Sequence, residues 1–275
     1  VSYTEVSFRI DPLEPWREIL MVELGELGFE SFEENQDGLK AYIRTADFKQ
    51  SDLRSLVAPN DPHTTIDWVV REVQDENWNA VWEEAFKPVR IGERVLIRAE
   101  HHETELVEHD LVIQPRMAFG TGHHATTSMM VQAMLDTDMI DKDVCDLGCG
   151  TAVLAILAER LGAARVLAID NDNNAVENAC ENVKRNDSHR ITVEKGDVST
   201  IEQLEFDIIL ANIQRNVLSE GMPTIASSLR ENGRLFLSGF IVDDIDFMAG
   251  VVRDYGLKCN VSLQKGEWAL LGCWK

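Results

Sequence analysis

The residues with the clearest capacity for chemistry lie in VCDLGCGTAVLAILAERLG (144–162). A short apolar run leads to Asp146, and Gly148-Cys149-Gly150 then turns straight into a helical pattern. Glycines at such a point let a ligand approach the backbone, and the N-terminus of the following helix offers N–H groups with no partner inside the helix. Twenty residues after Gly150 the next apolar run ends in Asp170, followed by Asn171 and Asp172. A carboxylate there is placed to accept hydrogen bonds from the two ribose hydroxyls of an adenosine. A glycine pair alone is a weak signal. Strand, glycines, helix and acid in this order point to an adenosine-bearing ligand.

Charge decides which one. A dinucleotide site wants a third small residue three places after the second glycine, where this chain has Val153. Asp146 sets a carboxylate beside the loop, which repels a diphosphate and attracts a cation. S-adenosylmethionine carries adenosine, an ammonium and a sulfonium but no phosphate, so it is the expected cofactor, and a nicotinamide oxidoreductase is set aside. Bland alternatives stand beside these assignments. Asp146 could be a strand-end residue capping the next helix, and Asp170 an ordinary N-cap of a helix at 172–186. Asp197, after the third strand, would lie beside the adenine or serve as a plain turn residue.

Two further stretches belong to the candidate site. FDIILANI (206–213) is an apolar run ending in Asn212. At the carboxyl end of a strand near a switch point, its side-chain oxygen and nearby carbonyls would accept hydrogen bonds from a substrate amine and orient the lone pair; a helix cap is the alternative. MAFGTGHHATTSMM (117–130) holds Gly120 and Gly122 about Thr121, then opens a helix. Such a loop could close over the cofactor, with Thr127 or Thr121 donating a hydroxyl hydrogen bond. His123 and His124 diverge as neighbours and lack a carboxylate at helical spacing, so no metal is expected. His101, His102 and His109 read as surface residues. No GxSxG elbow is present, and Cys145 and Cys149 read as packing residues.

The elements that must hold these residues follow from periodicity. Val6, Phe8 and Ile10 alternate with polar residues as in a half-buried strand, and Leu13, Trp16, Leu20, Leu24 and Leu27 mark one helical face. Asp37-Gly38 signals a hairpin, Leu39, Ala41 and Ile43 share a strand face, 47–57 reads as a second helix, and Ile66, Trp68 and Val70 mark a fourth strand. The order βαββαβ fits a small ferredoxin-like domain over 1–74. A linking helix is expected within 75–90, carrying Trp78 and Trp82. Strands at 94–99 and 106–113 come next. Alternating strands and helices after 118 predict a helix-covered, mostly parallel sheet in a catalytic domain over 91–275. Its strands are placed near 143–148, 165–170, 190–195, 206–211, 233–239, 257–263 and 267–274.

Composition bounds the partners. The chain has 275 residues, 48 acidic against 26 basic side chains, and a formal net charge of -22. Residues 1–87 hold nineteen acidic and eight basic side chains, about twice the acidity per residue of the remainder. That balance argues against nucleic acid as the main partner and leaves a cationic protein open. No apolar run approaches the roughly 20 residues of a membrane-spanning helix, and no signal segment is expected in VSYTEVSFRI. Five scattered cysteines read as reduced thiols in a cytoplasmic monomer.

FGTGHHATT, DLGCGT, AIDND and LANI, in this order and spacing, resemble the PrmA family, the methyltransferases of ribosomal protein L-eleven. NWNAVWEEAFKPVRIGERVLI (77–97) and Lys265-Gly266-Glu267-Trp268 are similar to segments of the same family, while 1–76 match in general layout only. The resemblance implies a Rossmann-like, seven-stranded α/β class I methyltransferase domain whose last strand is antiparallel, behind a small α+β substrate-recognition domain. It implies S-adenosylmethionine-dependent methylation of lysine side chains and the N-terminal amine of that basic ribosomal protein. It carries cofactor contacts onto Thr127, Gly148, Asp170 and Asn212, beside Thr121, Asp146, Gly150 and Asp197 from the reading above. Ala152 departs from a common glycine, and Gln214-Arg215-Asn216-Val217 departs after the ANI motif, which touches the substrate channel. Methylation of another basic protein or a small molecule, and a non-catalytic ribosome-assembly module, are the competing readings.

Overall fold

The computed structural model describes residues 3–35, 37–54, 56, 58, 61–73, 87–114 and 122–275. The chain divides into two compact units, Val1–Val81 and Trp82–Lys275.

In the first unit, strand β1 (Tyr3–Asp11) leads to helix α1 (Trp16–Glu26), strands β2 (Ser31–Asn35) and β3 (Gly38–Arg44), helix α2 (Gln50–Leu53) and strand β4 (Thr65–Val73). The sheet order is β2-β3-β1-β4, and every recorded pairing is antiparallel. This is the expected βαββαβ arrangement. Alternate residues Val6, Phe8 and Ile10 of β1 are buried, as period-two patterning demands, against Leu20 and Leu24 of α1 and Leu39, Ala41 and Ile43 of β3. The second helix is shorter than its expected span of 47–57. Asp47 and Phe48 donate their amides back to the Arg44 carbonyl, so a turn occupies the first residues.

The second unit opens with strands β5 (Val89–Ile91), β6 (Val95–Arg98) and β7 (His109–Val112) in one three-stranded sheet. Val89 and Arg90, expected at the end of a linking helix, are strand residues paired with Ile97 and Leu96. The rest of that helix, with Trp78 and Trp82, lies outside the described residues. His109, expected at the surface, is buried, because β7 turns His109, Leu111 and the following Ile113 to one side.

Then come α3 (Ala125–Leu135), β8 (Asp143–Leu147), α4 (Val153–Arg160), β9 (Arg165–Asp170), α5 (Asn173–Arg185), β10 (Ile191–Lys195), β11 (Phe206–Asn212), α6 (Arg215–Ser227), β12 (Leu229–Ile241), α7 (Ile245–Asp254), β13 (Lys258–Lys265) and β14 (Trp268–Trp274). The seven-stranded sheet has the order β10-β9-β8-β11-β12-β14-β13. β10, β9, β8, β11 and β12 run parallel, and β14 is antiparallel to both its neighbours. Successive residues serve opposite faces. Val144, Ile208, Leu210 and Phe236 pack with α3, α4 and α5, while Cys145, Leu147, Ile209, Ala211 and Leu237 pack with α6 and α7. The strand order reverses between β8 and β11, so the crevice at their carboxyl ends is the switch point at which such sheets bind ligands.

Candidate functional site

β8 delivers the glycine loop to that crevice. The Gly148 and Cys149 amides both donate to the Ile169 carbonyl, at 2.8 and 2.9 Å, which pins the loop to the end of β9. Gly148 has φ +69°, and a Cβ there would run into the Ile213 side chain. The position therefore excludes other residues on two counts. Gly150, at φ +53°, donates its amide to Asp170 Oδ2 at 2.9 Å, and the Asp172 amide donates to Asp170 Oδ1 at 3.0 Å. An ionised carboxylate offers about four acceptor positions. Two hold the protein's own backbone, and two remain for a neighbouring diol. Asp172 itself caps α5, accepting from the Asn174 amide at 2.9 Å.

Asp146 is buried, and its Oδ2 accepts the Ala155 amide at 3.1 Å inside the first turn of α4. The helix-capping alternative is thus the contact the structure records. Burial pushes its carboxyl up to about 7; the Ala155 amide opposes this and the charge on Asp170 adds to it. A carboxyl raised above its unfolded value contributes stability that is complete below about pH 4 and is lost as pH rises through about 7. Asp146→Asn keeps an acceptor without the charge. The variant should match the wild-type chain near pH 4 and gain on it by roughly 4 kcal/mol by pH 8, a shift of about three pKa units. Urea unfolding at several pH values reads this directly; a difference that does not change with pH would refute the burial argument.

The remaining candidates occupy three other places. Asp197 follows β10, whose Lys195 is paired with Asp170, and the intervening Gly196 donates its amide to the Asp170 carbonyl at 2.9 Å. Its exposed carboxylate accepts the amide and hydroxyl of Ser199, at 2.8 and 2.6 Å, which hold it below the usual carboxylate range. The turn-residue reading describes those contacts. Asn212 ends β11 half-buried, opposite Ser238 of β12, and among the described residues its side chain has no hydrogen-bond partner. The chain just beyond it is held between two glycines. Gly148 faces the Ile213 side chain, and Gly239 faces the Ile213 carbonyl so closely that a Cβ would collide. Thr127 is buried in the first turn of α3, and no recorded hydrogen bond joins it to the glycine loop. Thr121 lies outside the described residues.

The start of α3 is fixed by the hairpin between β13 and β14. His124 caps the helix, its Nδ1 accepting the Thr126 amide at 3.4 Å and lying 2.7 Å from Thr126 Oγ1. Its ring meets Trp268 edge-on with centroids 4.6 Å apart, and Lys265 Nζ donates to Ser128 Oγ at 3.1 Å. The histidines that invite a metal reading therefore include one that caps a helix. Among the described residues no group of three metal-binding side chains occurs.

Sequence reasoning missed a row of asparagines. Asn178 and Asn182 on α5 and Asn186 at its C-terminal cap, four residues apart, are buried and hydrogen-bonded to backbone. Their only sequence signal is spacing: amides at i, i+4 and i+8 share the helix face that also carries buried Ala175 and Ala179.

The donor set fits a cationic nucleoside and not a diphosphate. Among the described residues no lysine or arginine is bonded to Asp146 or Asp170, so no cation stands there to meet a diphosphate.

The profile of the family described as "Ribosomal protein L11 methyltransferase (PrmA)" matches residues 18–275. A protein named ribosomal protein L11 methyltransferase from Phocaeicola vulgatus is 39% identical over 274 residues, covering 98% of each chain. One of the same name from Porphyromonas gingivalis is 42% identical over 274 residues, covering 97% of this chain and 94% of its own. Among solved structures, a ribosomal protein L11 methylase from Lactobacillus delbrueckii subsp. bulgaricus superposes with a TM-score of 0.63 at 24% identity, over 68% of this chain and 98% of that one. This last likeness concerns the fold.

Proposed function

Because the chain belongs to the ribosomal protein L11 methyltransferase family, we propose that it is an S-adenosylmethionine-dependent protein methyltransferase that N-methylates lysine side chains and the N-terminal amine of L11. One observation carries the cofactor reading: the Gly150 amide on Asp170 at 2.9 Å, at the strand switch point and one strand away from Asn212. When bound, S-adenosylmethionine supplies an electrophilic methyl group on its sulfonium. The protein's part is to bind, orient and exclude water.

In this reading Asp170 accepts the ribose hydroxyls on its two free acceptor positions, and Gly148 and Gly150 admit the cofactor to the backbone. Asp146, turned into α4, biases the pocket toward positive charge only in its ionised form, so that its field grows as pH rises through about 7. Asp197 flanks the adenine, and Thr127 and Thr121 are assigned as hydroxyl hydrogen-bond donors to the cofactor. Asn212 accepts the substrate amine's N–H through its side-chain oxygen. Lysine's reference pKa of about 10.4 means the amine must arrive neutral. Among the described residues no base is bonded to Asn212, and in this reading the proton goes to water.

The acidic first unit is assigned to recognition of the basic substrate, and the protein is read as a cytoplasmic monomer that does not itself bind nucleic acid. Among the described residues no helix is long and apolar enough to cross a membrane. If charge steers the encounter, kcat/KM for L11 should fall several-fold between roughly 20 and 200 mM salt, because screening shortens the reach of the field to about 10 Å or less. A rate indifferent to salt would argue against steering. The direct test is transfer of tritiated methyl from S-adenosylmethionine to purified L11, with calorimetry of cofactor binding alongside. Binding without transfer would leave a non-catalytic module, and transfer to small amines alone would move the substrate class.

A further inference from the structure

We infer that Asn182 is a positioning residue that fixes the cofactor's glycine loop to the strand extension beyond β7 at Gln114, an inference that rests on the glycine loop being the S-adenosylmethionine site. β7 is the edge strand of its sheet, and among the described residues the asparagine row, rather than another strand, faces its end and the backbone just beyond. Asn186 accepts the Val112 amide at 2.9 Å and donates to the Val112 carbonyl at 2.7 Å. Asn182 accepts the Gln114 amide at 2.9 Å, and Asn178 donates to the Gln114 carbonyl at 3.0 Å. Four helical residues rise about 6 Å and two strand residues about 6.7 Å. An amide every turn therefore keeps step with the outward-facing backbone groups of every second strand residue.

Asn182, beside weaker contacts from its Nδ2 to the Gln114 carbonyl and Asn178 Oδ1, reaches the glycine loop. Its Nδ2 also donates to the Thr151 carbonyl at 3.1 Å, and the side chain is fully buried. Thr151 lies between Gly150 and Ala152, both held at positive φ, +53° and +63°. For alanine that conformation is strained, so the loop keeps its shape only where its surroundings over-determine it. Asn182 supplies one of those restraints and passes it to Gln114, the last described residue before 115–121. Asn186 makes as many bonds to the strand extension but none to the loop.

That difference supplies the test. Asn182→Ala should weaken S-adenosylmethionine binding at least tenfold by calorimetry, while kcat at saturating cofactor stays within about threefold of wild type. Asn186→Ala should lower thermal stability comparably and leave cofactor affinity within threefold. Asn182→Asp keeps the acceptor for Gln114 and, once its buried carboxyl ionises, lacks the donor for Thr151; its affinity loss should be present at pH 9 and shrink as pH falls and the protonated carboxyl regains an O–H donor. Equal losses of affinity in Asn182→Ala and Asn186→Ala, or unchanged affinity in Asn182→Asp at pH 9, would overturn the inference. Should Asn182→Ala fail to fold, the Asn182→Asp result decides. Failure of the wild-type chain to bind S-adenosylmethionine would instead strike the functional reading itself.

Discussion

An Asp170→Ala variant should bind S-adenosylmethionine about 100-fold or more weakly than the wild-type chain. Two charge-assisted hydrogen bonds to the ribose hydroxyls are each worth on the order of 1.5–3 kcal/mol when desolvated, and about 3 kcal/mol corresponds to 100-fold in Kd. The substitution also releases the Gly150 and Asp172 amides, so the loop loses its tie to β9 in the same step. Asp170→Asn separates the two contributions. It keeps an acceptor for the Gly150 amide and loses the charge, so a smaller loss, nearer tenfold, is expected. Titration calorimetry on the folded variants, checked by circular dichroism, gives both numbers. If Asp170→Ala bound within threefold of wild type, the ribose assignment would fall.

That prediction was open to sequence reasoning because its ingredients are local. Val144 to Leu147 and Arg165 to Asp170 are short apolar strands, the glycines follow the first, and the acid ends the second. The same locality explains why the seven strands of the large sheet lie within a few residues of their expected places. Alternation in Val6, Phe8 and Ile10 and the Asp37-Gly38 turn did as much for the small sheet. β5 escaped because three residues are too few to show a period. The expected second helix shortened because a turn at Arg44 to Phe48 competes for its first residues, a choice made by hydrogen bonds that composition does not display.

The site was legible as a set of positions and less so as a set of orientations. Asp146 reads as a carboxylate beside the loop, yet β8 turns it under α4 to meet the Ala155 amide, and only the pleat decides that. Ile213 reads as one more apolar residue. Its wedging between Gly148 and Gly239, 91 residues apart in the chain, needs the β8–β11–β12 order to be known. The asparagine row was invisible for the same reason. Its partners at Val112, Gln114 and Thr151 belong to two places in the chain far from α5, and polar residues on a helix are ordinarily taken for its wet face.

Asn212→Ala should reduce kcat about 100-fold or more while leaving the Kd for S-adenosylmethionine within a few-fold. Among the described residues the side chain ends β11 without a hydrogen-bond partner, so no bond among them is lost with its amide, and Ile213 stays wedged after the substitution. What is lost is orientation of the amine lone pair, and misplacement by about 1 Å costs on the order of 100-fold. A loss in kcat and kcat/KM together, with cofactor affinity kept, is the signature of an interaction made in the transition state. Asn212→Asp sharpens the point. It has the same shape, but a carboxylate would favour the protonated ammonium, so its rate should be depressed at neutral pH and recover as pH approaches lysine's reference value of about 10.4. Full activity in Asn212→Ala with unchanged affinity, or an Asn212→Asp profile that overlays the wild type, would remove Asn212 from the reaction and leave orientation to the backbone carbonyls around it.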